Sequence, residues 1–161
     1  MIYKVKTTSA EETNNIGYIL GQAIQPGDTI ALSGNLGAGK TAFTIGLAKG
    51  LGIKETITSP TFTIVNEYKG RIPFFHFDVY RVYDEDELNE IGFAEYFYRN
   101  GACCIEWADL IPQMLPEYRI EINIVNIDGE PDSRVVSAEI HGCSDELKSA
   151  LNKIFAREES L

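Results

Sequence analysis

Gly34-Asn35-Leu36-Gly37-Ala38-Gly39-Lys40-Thr41 satisfies the pattern G-x-x-x-x-G-K-[ST] without deviation. In such a loop the glycines let the backbone curl until successive N–H groups point inward and meet phosphate oxygens. A helix opening near Lys40 adds the positive end of its dipole. Lys40 would then reach the β- and γ-phosphates of a nucleoside triphosphate, and the Thr41 hydroxyl would ligate Mg²⁺. The alternative is a Gly-rich turn that merely caps a helix. The position of the segment, directly after an apolar strand and at the opening of a helix, argues against it.

A phosphate-binding loop needs a second acid for its metal, usually at the end of a neighbouring apolar strand. Ala102-Cys103-Cys104-Ile105-Glu106 has that form, with Glu where Asp is commoner. Glu106 is therefore expected at the metal, the competing explanation being a solvated strand terminus. Trp107, the single tryptophan, is expected to pack near the site rather than stack on a base. In His76-Phe77-Asp78-Val79-Tyr80-Arg81, strand alternation puts His76, Asp78 and Tyr80 on one face, with Arg81 at the exit. Asp78 is a candidate to orient or deprotonate an attacking water, and Arg81 to pair an anion. The alternative is an Asp78–Arg81 ion pair fixing a turn. Ser59-Pro60-Thr61-Phe62 lies in the loop that follows, where a segment can sense a γ-phosphate or be no more than a Pro-containing connection.

These residues need rigid elements to hold them. Ile2–Lys6 predicts a short strand, and Ser9 with Glu12 a capping box opening a helix that ends before Pro26-Gly27. Thr29–Leu32 is the apolar run feeding the Gly-rich loop, and apolar residues after Lys40 continue as a helix to Gly50-Leu51-Gly52. Two runs about Lys69-Gly70-Arg71 predict a hairpin. The stretch 84–100 predicts an acidic-fronted helix. Tyr118, Ile120, Ile122 and Ile124 alternate with polar residues, Asp128-Gly129 turns the chain, and Val135–Ile140 returns beside them. Ser144 opens a final helix to about Arg157. The expected fold is an α/β, P-loop NTPase-like three-layer sandwich in one domain spanning 1–161. Its sheet is mixed, mainly parallel at the centre, with antiparallel margins.

Composition narrows the function classes. The chain has 161 residues, 44% hydrophobic and 24% charged, as in ordinary globular proteins. Its net charge is −10, and no stretch gathers enough Lys and Arg to neutralise a run of phosphates, which argues against non-specific nucleic-acid binding by this chain alone. Cys103 and Cys104 are neighbours and point to opposite faces of a strand, a poor disulfide or metal pair. No apolar run reaches membrane-span length and the N-terminus lacks a leader-like segment, so a cytoplasmic protein is expected.

The segments GNLGAGKT, SPTF, HFDVYR and IEWAD, in this order and spacing, resemble the TsaE family (the YjeE/YdiB group) across nearly the whole chain. The resemblance implies a cytosolic bacterial protein that binds ATP and Mg²⁺ and hydrolyses ATP slowly unless joined by partners. It implies a role in threonylcarbamoylation of adenosine 37 in tRNA, exerted on the TsaD–TsaB heterodimer, with tRNA met only through that complex. It further implies a nucleotide site made of Gly34, Asn35, Leu36, Gly37, Ala38, Gly39, Lys40, Thr41 and Ala42. Thr61 would lie in a switch-like segment, and Arg134 with the Thr8–Thr13 segment near the base. Thr41 and Glu106 would hold Mg²⁺, and Asp78 and Lys40 would serve hydrolysis. Asn35 stands where many members have Asp, in the variable part of the loop.

Three other functions compete. A small-molecule kinase of this fold needs an Arg-rich lid, and the six arginines, at 71, 81, 99, 119, 134 and 157, are scattered. A GTPase needs a guanine-reading N-K-x-D, and Asn152-Lys153-Ile154-Phe155 lacks the acid. A non-catalytic module using nucleotide only to shape a partner surface stays open.

Overall fold

Apolar alternation begins at the first strand, β1 (Ile2–Thr7), where Tyr3 and Val5 face the core. Ser9 then stops the strand and caps helix α1 (Ala10–Ala23): its hydroxyl accepts from the Glu12 amide at 3.1 Å. The Glu12 carboxylate reaches back to the Thr8 amide at 2.6 Å, so the reciprocal half of the expected box falls one residue early. The apolar run becomes β2 (Thr29–Gly34), followed by α2 (Lys40–Gly50), β3 (Val65–Lys69) and β4 (Pro73–Asp78). The remaining elements are α3 (Glu85–Glu90), α4 (Phe93–Tyr96), β5 (Ala102–Glu106), β6 (Ile120–Ile127), β7 (Glu130–Ile140) and α5 (Asp145–Phe155). This computed structural model describes residues 2–35, 37–60 and 63–155, so Leu36, Thr61 and Arg157 lie outside the described residues.

The single helix expected over 84–100 is two short ones. Asp84 caps α3 with a complete capping box, but Gly92 takes a left-handed conformation (φ 72°) that ends one helix and restarts the chain as α4. Helical periodicity continues across the break, which is why sequence alone merges the two.

All seven strands form one sheet in the order β1-β7-β6-β2-β5-β4-β3. The pairs β6–β2, β2–β5 and β5–β4 are parallel, and β1–β7, β7–β6 and β3–β4 antiparallel, giving the mixed P-loop-like sheet with antiparallel margins. Both faces carry a core. Leu20, Phe43, Leu47, Leu147 and Phe155 from α1, α2 and α5 cover one face, against Ile30, Leu32, Cys104 and Ile122. Leu88, Phe93 and Tyr96 cover the other, against Ala31, Phe75, Phe77 and Cys103. Cys103 and Cys104 thus enter different cores, and burial raises both thiols, that of Cys103 to about 12.

Helices α1 and α2 approach almost backbone to backbone. A methyl group on Gly17 would sit 2.2 Å from the Phe43 carbonyl oxygen, and one on Gly46 1.9 Å from that of Asn14. Gly21 and Gly50, one turn along each helix, are equally tight at 2.2 Å against the carbonyls of Leu47 and Tyr18. This small-residue seam fixes α2, and with it Lys40 and Thr41, against the edge of α1. Asp28, fully buried, closes the same layer by accepting from the Ser144 amide at 2.7 Å and its hydroxyl at 2.5 Å, at the start of α5.

Candidate nucleotide site

Parallel strands all end on one side, and the register brings three ends together. Glu106 at the end of β5 lies opposite Leu32 of β2 on one side and opposite Asp78 of β4 on the other. The Gly-rich loop leaves β2 two residues later. A crevice at the carboxyl ends of parallel strands is where open α/β sheets bind ligands. Here it is a cavity of about 380 Å³, lined among others by Lys40, Thr41, Ser59, His76, Asp78 and Glu106.

Gly34, Gly37 and Gly39 adopt positive φ (154°, 75° and 107°), and a Cβ on Gly34 would lie 2.6 Å from the Ile124 carbonyl oxygen. Side chains are therefore barred where the loop leaves the sheet. Gly39 sits beside Thr13 of α1 and precedes the first turn of α2, whose leading amides are unsatisfied by the helix itself. Arg134 of β7 grips the loop from behind, donating to the carbonyls of Ala38 at 2.9 Å and Gly37 at 3.1 Å. It also donates to Pro131 and Ser133. Ala42 is half-buried and its carbonyl accepts from the Asn14 side chain at 3.0 Å.

Lys40 is buried. Its ammonium donates to the carbonyls of Gly34 and Asn35 and lies 3.8 Å from the centre of the Trp107 ring, a cation–π contact. Burial lowers its pKa, a shift opposed by the nearby charges of Glu106, Asp109 and Asp78. Trp107 reaches this position because its own backbone is left-handed (φ 63°), a conformation that a bulky residue adopts only where its surroundings impose it. Tyr80 packs against the indole with its ring tilted by 37°, centres 4.6 Å apart.

Asp78 is held from two directions: the Ser59 hydroxyl donates to Oδ2 at 3.0 Å and the Tyr80 amide to Oδ1 at 2.9 Å. Among the described residues no ion pair joins it to Arg81, which is exposed. Glu106 is buried and bonded through Oε2 to His76 Nε2 at 2.5 Å.

Lys40, Thr41, Asp78 and Glu106 thus meet at one cavity. Sequence reasoning did not find the His76–Glu106 bond or the Lys40–Trp107 contact. The shared face of His76 and Asp78 was readable, but the register that sets β4 beside β5 joins residues 30 positions apart and leaves no local signal.

The family described as Threonylcarbamoyl adenosine biosynthesis protein TsaE matches residues 7–135. The chain belongs to the TsaE family. A relative from Bacillus subtilis, named tRNA threonylcarbamoyladenosine biosynthesis protein TsaE, is 48% identical over 122 residues, 75% of this chain and 76% of that protein. Relatives of the same name from Treponema pallidum (43% identical, 79% of this chain, 95% of that one) and a Nostoc species (39%, 88% of each) match comparably. The crystal structure of Bacillus subtilis YdiB superposes with a TM-score of 0.77 at 35% identity, covering 99% of this chain and 97% of that one. Matches of this extent place the Gly-rich loop, β4 and β5 within the part shared across the TsaE family.

Proposed function

We propose that the chain is a Mg²⁺-dependent ATP-binding protein and slow ATPase serving tRNA threonylcarbamoyladenosine biosynthesis, acting on the TsaD–TsaB heterodimer. The observation that carries this reading is the convergence of a Gly-rich loop, Lys40, Thr41, Asp78 and Glu106 on one cavity in a chain of the TsaE family.

The donor set fits the ligand. Loop amides and the opening turn of α2 offer N–H groups to phosphate oxygens, and positive φ at the glycines leaves room for them. Lys40 exchanges its carbonyl partners for the β- and γ-phosphates. A hydroxyl at Thr41 and a carboxylate at Glu106 are hard oxygen ligands suited to Mg²⁺, which when bound neutralises charge on the transferring phosphoryl group. Asp78 orients the attacking water and accepts its proton.

Slow turnover in isolation has a local cause in this reading. Each Asp78 oxygen already accepts one hydrogen bond, and the one from the Ser59 hydroxyl narrows the directions from which a water can approach Oδ2. A partner that draws the 54–60 loop away would release that oxygen.

Calorimetry with Mg-ATP tests the site. The parent is expected to bind, and Lys40→Ala to lose binding or turnover, because the cradle loses its one compact cation. A Lys40→Ala protein that binds and hydrolyses ATP like the parent refutes the assignment. Hydrolysis measured with and without the TsaD–TsaB pair tests the partner: stimulation is expected, and neither stimulation nor co-elution would favour a kinase or an unrelated module.

A further inference from the structure

His76 carries an anomaly that nucleotide binding alone does not use. Its ring is 2% exposed, parallel to Phe74 (9° between planes, centres 6.2 Å apart), in a strand that also carries Phe74, Phe75 and Phe77. Nε2 meets Glu106, and Nδ1 is the buried side-chain polar atom left without a hydrogen bond among the described residues. A buried polar atom without a partner costs free energy, and a phenylalanine at this position would avoid that cost while keeping the stack. What the ring supplies beyond a phenyl group is the hydrogen on Nε2 that Glu106 accepts. That bond takes Oε2; no hydrogen bond among the described residues engages Oε1, and Glu106 lines the cavity.

We propose that His76 is a positioning residue for the metal: it fixes the Glu106 carboxylate so that one oxygen rests on the imidazole and the other faces the cation held with Thr41. The proposal rests on the Mg-ATP reading of the site. A carboxylate that rotates freely must be ordered each time a cation binds, whereas one locked by a buried hydrogen bond is ordered beforehand. Groups of this outer kind tune metal affinity without touching the ion.

The test uses the full chain with His76→Phe and His76→Gln, the latter placing an amide donor near the position of Nε2. Mn²⁺ binding in the presence of ATP is followed by electron paramagnetic resonance, and metal-free ATP binding by calorimetry. His76→Phe is expected to bind metal-free ATP as the parent does, while its Mn²⁺ dissociation constant rises about 10- to 100-fold and that of His76→Gln recovers most of the loss. A His76→Phe protein whose Mn²⁺ affinity stays within about twofold of the parent overturns the positioning role and leaves the nucleotide site standing. A parent that binds neither ATP nor Mn²⁺ overturns both. Should His76→Phe fail to fold, His76→Asn replaces it: its shorter amide cannot span to Glu106, so an equal loss in the Asn and Gln variants overturns the proposal.

Discussion

At the residue scale the proposed function separates binding from turnover. In the reading proposed above Lys40 and the loop amides would contact the nucleotide, whereas Asp78 lines the cavity from β4, held by Ser59 and by the Tyr80 amide. Asp78→Ala is therefore expected to leave nucleotide affinity within a few-fold of the parent and to lower hydrolysis by about two orders of magnitude or more, as loss of a proton acceptor does. Binding isotherms and single-turnover hydrolysis check it; a large loss of affinity with unchanged turnover per bound ATP would contradict the role. The Gly-rich loop, Asp78 and Glu106 were legible in the sequence because each is marked locally, by motif or by an acid ending an apolar strand. His76 was not. Its part depends on which strand lies next to β4, and the pairing of His76 with Cys104 is set by sheet order, not by neighbours in the chain.

At the element scale the expected strands and hairpins are present because their signals are periodic and short-range, although β7 begins at Glu130, five residues before the expected Val135, in a polar stretch without apolar alternation. The seam between α1 and α2 is the reverse case. A glycine inside a helix ordinarily weakens it, yet Gly17, Gly21, Gly46 and Gly50 are each where a carbonyl of the opposite helix comes within 2.2 Å of an added methyl group. Gly46→Ala removes a helix-interior glycine, a gain of about 1 kcal/mol in an isolated helix. Here steric overlap with the Asn14 carbonyl outweighs it. The expected net is a loss of at least ~1 kcal/mol in chemical denaturation, with weakened nucleotide binding as α2 shifts. A stabilised Gly46→Ala protein would show that the two helices can part without consequence. The split of 84–100 at Gly92 belongs to the same class, since a single left-handed residue leaves the hydrophobic pattern intact on both sides.

At the scale of the whole molecule, net charge and fold point the same way. A net charge of −10 disfavours non-specific binding to phosphodiester backbones, and the function proposed above accordingly gives contact with tRNA to partners. The chain alone is expected to give no mobility shift with tRNA at about 0.15 M salt, and binding there that weakens steeply with added salt would refute this. Among the described residues no helix is long and apolar enough to cross a membrane.

One further consequence concerns Arg134. The Gly-rich loop is riveted by this side chain to β7, in the antiparallel half of the sheet, while Asp78 and Glu106 lie at strand ends of the parallel half. The two jaws of the site are thus mounted on opposite sides of β2. A change of twist between the two halves about that central spine would alter the aperture between them, so a protein that leaned on either half would open or narrow the jaws without reaching inside.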